Sequence, residues 1–176
     1  MIWYNKGKKL GGKDMWNLIM AVDPGNEESA YVVMDKTTYK PVDFGKIKNE
    51  ALLDYIFDEL PDGVDTLVIE KVASYGMAVG ATVFDTCIWT GRIVQNFLDF
   101  TSPYNQKVEY VYRKEEKINL CNSMKAKDSN IRQALIDRFG EVGTKKNPGW
   151  FYGFKKDIWA AYAVGVTWLD KQKEGL

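Results

Sequence analysis

Histidine is absent from this 176-residue chain, and its absence excludes more chemistry than any residue present suggests. Without imidazole there is no Ser-His-Asp or Cys-His nucleophile, no HExxH zinc site and no histidine general base. Any reaction must run on carboxylates, lysines, hydroxyls or bound metal. Cysteine is nearly as scarce: Cys87 and Cys121 form no CxxC pair, which argues against a disulfide scaffold or a thiolate zinc site and fits free thiols in a reducing compartment. No apolar run approaches the roughly 18 to 20 residues that span a bilayer, and the lysine-rich start leads into no signal-peptide core, so a cytoplasmic protein is expected. Net charge is missing too, with 24 Lys and Arg against 24 Asp and Glu.

What is present fits one globular domain over residues 16–176. Apolar residues at 45% and charged residues at 27% argue against both disorder and a fibrous repeat, and the length buries a core without covalent staples. Residues 1–15 are basic, glycine-containing and aperiodic, and are expected as a flexible N-terminal tail. Gly11 to Met15 is compatible with a translated purine-rich ribosome-binding sequence, which makes Met15 a candidate initiator and the tail a candidate non-native extension.

The neutral total hides a polarised chain. From Asp43 to Glu70, eight acids stand against Lys46 and Lys48, a stretch that should face away from a polyanion. From Thr101 to Arg132, seven basic residues outnumber four acids, and Lys145, Lys146, Lys155 and Lys156 follow.

A buried strand from Trp16 to Val22 stops at Asp23-Pro24-Gly25, where proline withholds its amide and glycine permits a turn. Ala30 to Met34 and Tyr39 to Ile47 read as two more strands of an antiparallel meander. Asn49 is expected to cap a helix carrying Leu52, Leu53, Ile56, Phe57 and Leu60 at three- and four-residue steps. Thr66 to Ile69 is a continuous apolar run ending at Glu70, as suits a central parallel strand. A helix from about Ala81 to Phe100 carries Val83, Phe84, Cys87, Ile88, Gly91, Val94 and Leu98 along one side, with Gly91 allowing close packing. Lys107 to Tyr112 reads as a fifth strand and Ser129 to Phe139 as a helix begun by Asp128 or Ser129. A last, largely apolar helix from about Lys156 to Lys171 has Asp157 in its first turn.

Three carboxylates thus hold matching places: Asp23 and Glu70 at strand ends, Asp157 at the mouth of a buried helix. In open sheets with parallel strands, sites gather at the carboxyl ends. If the first and fourth strands are parallel neighbours, Asp23 and Glu70 meet there and a helix docked on the sheet brings Asp157 across. Three like charges so placed repel unless cations sit between them, and hard oxygen donors suit Mg²⁺ or Mn²⁺.

Several segments resemble RuvC and its phage-encoded relatives in the RNase H-like superfamily. They are Ile19 to Gly25, Val68-Ile69-Glu70, Trp89-Thr90-Gly91-Arg92, Ala126 to Arg132 and Lys156 to Gly165, in family order over about Asn17 to Trp168. The resemblance implies an α/β fold with a mixed five-stranded sheet, three antiparallel strands followed by parallel ones, and helices on both faces. It further implies a Holliday-junction or other branched-DNA endonuclease, with Asp23, Glu70 and Asp157 matching three of the family's four metal-binding acids. Two-metal phosphodiester hydrolysis with two Mg²⁺ or Mn²⁺ ions is implied, as is a homodimer, whose two-fold axis suits the paired strands of a junction. For a phage-encoded chain the compartment is the host cytoplasm. Ala160 stands where the family carries its fourth acid, and Lys127 and Asp128 are in swapped order relative to it.

Lys117, Lys125, Lys127 and Arg132 surround a helix start, where side-chain charge and free amides suit phosphate. Ser74 and Tyr75 follow Glu70 closely, and Tyr75 is placed to stack on an exposed base. Trp150, Phe151, Tyr152 and Phe154 read as a cap on the core. Two rivals remain at this level: a catalytically weakened branched-DNA-binding protein, motivated by Ala160, and an actin-like ATPase, for which Gly76 to Gly80 is a poor phosphate loop.

Overall fold

The computed structural model describes residues 17–74, 76, 78–100 and 106–175. The tail 1–15 and Tyr75 therefore lie outside the described residues. Among the described residues, five strands and five helices follow in order: β1 Leu18–Asp23, β2 Glu28–Asp35, β3 Pro41–Lys48, α1 Asn49–Asp58, β4 Val64–Lys71, α2 Ala81–Phe100, β5 Lys107–Tyr112, α3 Arg113–Cys121, α4 Asp128–Phe139 and α5 Ile158–Glu174. The sheet order is β3-β2-β1-β4-β5. The β1-β2 and β2-β3 pairs are antiparallel, and the β1-β4 and β4-β5 pairs parallel. This is the mixed five-stranded sheet that the family resemblance implied.

Alternation along the strands divides the core in two, because successive side chains leave opposite faces of a sheet. Ile19, Ala21, Val32, Met34, Val68 and Val111 pack toward α4, α5 and the aromatic loop before α5. Met20, Val22, Val33, Leu67 and Ile69 pack toward Leu52, Tyr55 and Ile56 of α1 and Ile93 and Phe97 of α2. The acid-rich α1 therefore covers one face, and α3 with its lysines and α4 with its arginines cover the other.

Helix α5 lies close on the sheet because Gly165 has no side chain: a Cβ there would sit 2.4 Å from Met34 Sδ and 3.0 Å from Ala21 Cβ. Its far end is anchored through Asp170, which accepts from Arg138 of α4, Asn119 of α3 and Tyr39, all within 2.8 Å. Phe151 and Phe154 are buried against Trp159 and Tyr162, as the cap reading expects, whereas Tyr152 is exposed.

Three local expectations are corrected. Asn49 is the first residue of α1, and its side chain does not cap the helix. It is fully buried, donating to Gly25 O at 3.0 Å and accepting from Ser29 Oγ at 2.6 Å, so it fastens the turn after β1. The inner side of α2 is Ile93 and Phe97, while Phe84, Ile88 and Leu98 are exposed. Helix α3 was not expected at all.

Candidate active site

The strand registers place one row of residues across the sheet. Lys46 of β3 pairs with Ala30 of β2, and Ala30 with Asp23 of β1. On the other side Val22 pairs with Ile69, which brings Glu70 beside Asp23, and Glu70 pairs with Val111 of β5. Asp23 shares its parity with Ile19 and Ala21, Glu70 with Val68, and Lys46 with Phe44, so all three side chains leave the sheet on the α5 side. Ala30 between Asp23 and Lys46 is small enough to leave the row open.

The turn after Asp23 is held firmly. Gly25 accepts no side chain, since a Cβ would lie 2.2 Å from Glu28 O. Its amide donates to Ser29 Oγ at 3.2 Å, completing the buried link to Asn49. A network in which every partner is met rigidifies its surroundings, and here it fixes the end of β1 where Asp23 points.

Asp23 and Glu70 are brought together, and the cost of pairing them shows in their acidity. Burial, then the charges of Glu70 and Asp157, push the Asp23 carboxyl up to about 7, against the opposing pull of Arg113 and Lys46. Burial raises Glu70 as well, with Asp128 adding and Arg113 subtracting.

Asp157 immediately precedes α5 and is near enough for its charge to act on Asp23. Its Oδ2, however, accepts from Lys46 Nζ at 2.6 Å, with Glu28 at 3.6 Å from the same ammonium. Lys156, the residue before it, adopts a left-handed backbone at φ 42° to turn the chain into α5. The ammonium thus occupies Asp157 on its way to the acid pair. Among the described residues no three acids or cysteines are grouped closely enough to hold a metal ion at once.

Two further charged groups complete the site. Arg113 and Glu116, one turn apart on α3, form an ion pair, and Arg113 also binds Asp128 at the start of α4. Glu116 is fully buried, and its carboxyl is raised by burial and by the charges of Glu70 and Asp23, which together outweigh the pull of Arg113. Arg113 is thereby the cation standing in front of Glu70. The sequence hides both residues, since Arg-Lys-Glu-Glu-Lys has the look of a solvated surface. Lys46 was visible in principle, because Phe44 two residues earlier faces inward.

The basic residues separate. Lys125, Lys127 and Arg132 are exposed near the start of α4, whereas Lys117 is half-buried on α3. The Lys127 amide is used locally, donating to Asn130 Oδ1 at 2.9 Å. Arg132 lies over the Trp159 ring at 4.8 Å and lines a surface groove of about 480 Å³ with Asp128, Ser129, Gln133, Ile136, Lys156 and Trp159. That groove runs beside Asp157. Ser74 is exposed, three residues past the end of β4.

A divalent ion is suited to the donor set. Paired, partly buried carboxylates with raised acidity are stabilised by a hard cation that replaces the partial relief given by Arg113 and Lys46.

No family profile matches the chain, and no curated protein matches it in sequence. Solved structures do match it. Thermus thermophilus RuvC aligns with TM-score 0.62 at 12% identity, over 90% of this chain and 96% of that one. T. thermophilus RuvC in complex with a Holliday junction substrate aligns at 0.61 and 14%, with the same coverage. The yeast mitochondrial Holliday junction resolvase Ydc2 aligns at 0.56 and 12%, over 89% and 80%. At such identities the likeness establishes the fold: the chain has the RNase H-like architecture of RuvC-like Holliday-junction resolvases.

Proposed function

We propose that a chain with this resolvase fold, carrying two neighbouring carboxylates at the ends of its central parallel strands, is a Mg²⁺- or Mn²⁺-dependent endonuclease of branched DNA. The observation that carries the reading is the adjacency of Asp23 and Glu70 on the α5 side of the sheet, where burial and mutual repulsion leave a carboxylate pair in need of a cation. Asp23, Glu70 and, once freed from Lys46, Asp157 hold the ions. Bound there, divalent cations supply Lewis acidity that activates water and offsets charge on the leaving oxygen.

The protein's own share of the work is binding and exclusion. Arg132, Lys127 and Lys125 attract phosphates into the groove beside Asp157, giving affinity without base readout. Ser74 and Tyr75 follow β4 in sequence and are assigned to meet the strand being cut, with Tyr75 stacking on a base unpaired at the branch. Lys117, half-buried on α3, adds its positive charge to the same half of the chain. Lys46 holds Asp157 until a cation competes for it.

Pairing with a second copy follows from the substrate's symmetry and from α2. Its outward side carries Phe84 and Ile88, each 60% exposed, with open space over Gly91. An isologous contact along this helix gives each of the two symmetric strands of a four-way junction its own acid pair.

The Lys46–Asp157 contact and the alanine at 160 favour one other reading, a protein that binds branched DNA without cutting it. Labelled four-way, forked and linear duplexes incubated with purified protein in Mn²⁺ separate the two. Cleavage of branched substrates, abolished by Asp23→Asn, Glu70→Gln or Asp157→Asn with binding retained, supports the nuclease. Tight binding without cleavage in Mn²⁺, or in Mg²⁺ tested alongside it, selects the alternative.

A further inference from the structure

Among the described residues, four buried side-chain polar atoms have no hydrogen-bond partner: Asn96 Oδ1, Thr167 Oγ1, Trp168 Nε1 and Glu116 Oε1. Only the last belongs to an ionisable group. Glu116 is completely removed from solvent, and Arg113 takes its Oε2 alone. Ionised, Oε1 lacks a donor; protonated, it lacks an acceptor. An unpaired oxygen on a buried carboxyl is among the most expensive arrangements a fold keeps. Pinning Arg113 does not require it, since Asp128 also binds that guanidinium.

Val111 of β5 pairs with Glu70, α3 begins two residues later, and Glu116 lies one turn into α3, near enough to the strand-end acids for their charges to act on it. The charges it meets there are those of Glu70 and Asp23. On α5, by contrast, the site reached one turn beyond Asp157 is Ala160, which offers no ligand. The acid site is therefore short of oxygen donors on the α5 side and has an unused one on the α3 side.

We infer that Glu116 is a carboxylate ligand of the acid site, with Oε1 completing a second divalent-cation position on the Glu70 side while Arg113 steadies Oε2. The inference rests on the metal-dependent reading of Asp23 and Glu70 and adds to it a ligand from a helix the sequence did not reveal. A Mg²⁺- or Mn²⁺-sized ion that accepts several oxygen donors is the class of ligand it takes.

The test is Mn²⁺ binding to the full chain without DNA, by titration calorimetry with thermal melts in parallel. Wild-type protein should take two Mn²⁺ per chain. Glu116→Gln keeps an oxygen for Arg113 and removes the charge; it should retain one ion and weaken the second at least tenfold, with a smaller Mn²⁺-induced rise in melting temperature. Two ions bound with wild-type affinity by Glu116→Gln overturn the inference and leave the acid-pair reading intact. A wild-type stoichiometry of one, unmoved by the substitution, overturns it as well. Wild-type protein that binds no Mn²⁺ removes the acid-pair reading itself. Should Glu116→Gln fail to fold in EDTA, Glu116→Asp keeps the charge but retracts it; the same tenfold weakening is expected, and unchanged affinity for both ions overturns the proposal.

Discussion

Replacing Asp23 by asparagine should make the metal-free protein more stable, by an amount that depends on pH in a way fixed by the site. Asp23 titrates near 7 in the folded chain against 3.8 for an ordinary aspartate. Between those values the folded state holds a proton that the unfolded state has released, so stability falls as pH rises through this window and levels off above 7. Three pH units at 1.36 kcal/mol each set a ceiling of about 4 kcal/mol on what ionised Asp23 costs. Asparagine is isosteric and carries no charge, so it escapes this cost at every pH. The gain from Asp23→Asn should therefore grow by about 2.5 kcal/mol from pH 5 to pH 8. For a chain of this length that corresponds to a relative melting shift of roughly 5 to 10 °C. Urea or thermal unfolding in EDTA at both pH values measures it, with each variant compared with wild type at the same pH so that distant groups cancel. A gain that is equal at the two pH values, or a loss at pH 8, would refute the claim that Asp23 sits buried beside other carboxylates.

The other predictions concern the surfaces. Arg132→Ala should weaken binding to all DNA shapes alike and reduce the slope of log affinity against log salt by about one, since it deletes one phosphate contact; fluorescence anisotropy across salt concentrations reads this, and an unchanged slope would place the DNA elsewhere. Ile88→Glu puts a charge in the middle of the exposed side of α2 and should turn a dimer into a monomer by light scattering, with little change in monomer stability because the side chain is 60% exposed; a wild-type mass for the variant would move the pairing surface off α2.

Much of the architecture was legible in sequence because it is written locally. The runs before Asp23 and Glu70 are continuous and apolar, and turn residues follow the first, so both strand ends and their acids are legible in the sequence. Their adjacency needed only the parallel pairing of β1 and β4. Asn49 was misread because its residue type is common at helix starts, whereas its actual partners, Gly25 and Ser29, lie 24 and 20 residues back. The apolar stripe on α2 is real, but amphipathicity does not say whether the partner is the sheet or another chain. Ile93 and Phe97 took the inner side.

The electrostatic half of the site was hidden for a different reason. Lys46 and Asp157 are separated by 111 residues and meet only because β3 and the start of α5 share one face of the sheet. Arg113 and Glu116 lie in a helix with little apolar content, so no hydrophobic period announced it. The buried residue of α3 is Glu116, and charge is normally the mark of an outward position.

Manganese-soaked crystals, with anomalous scattering used to locate the metal, test the central claim most directly. The account predicts a manganese ion bonded to carboxylate oxygens of both Asp23 and Glu70, with Asp157 turned from Lys46 toward it. Well-ordered side chains at Asp23 and Glu70 with no manganese between them would contradict it.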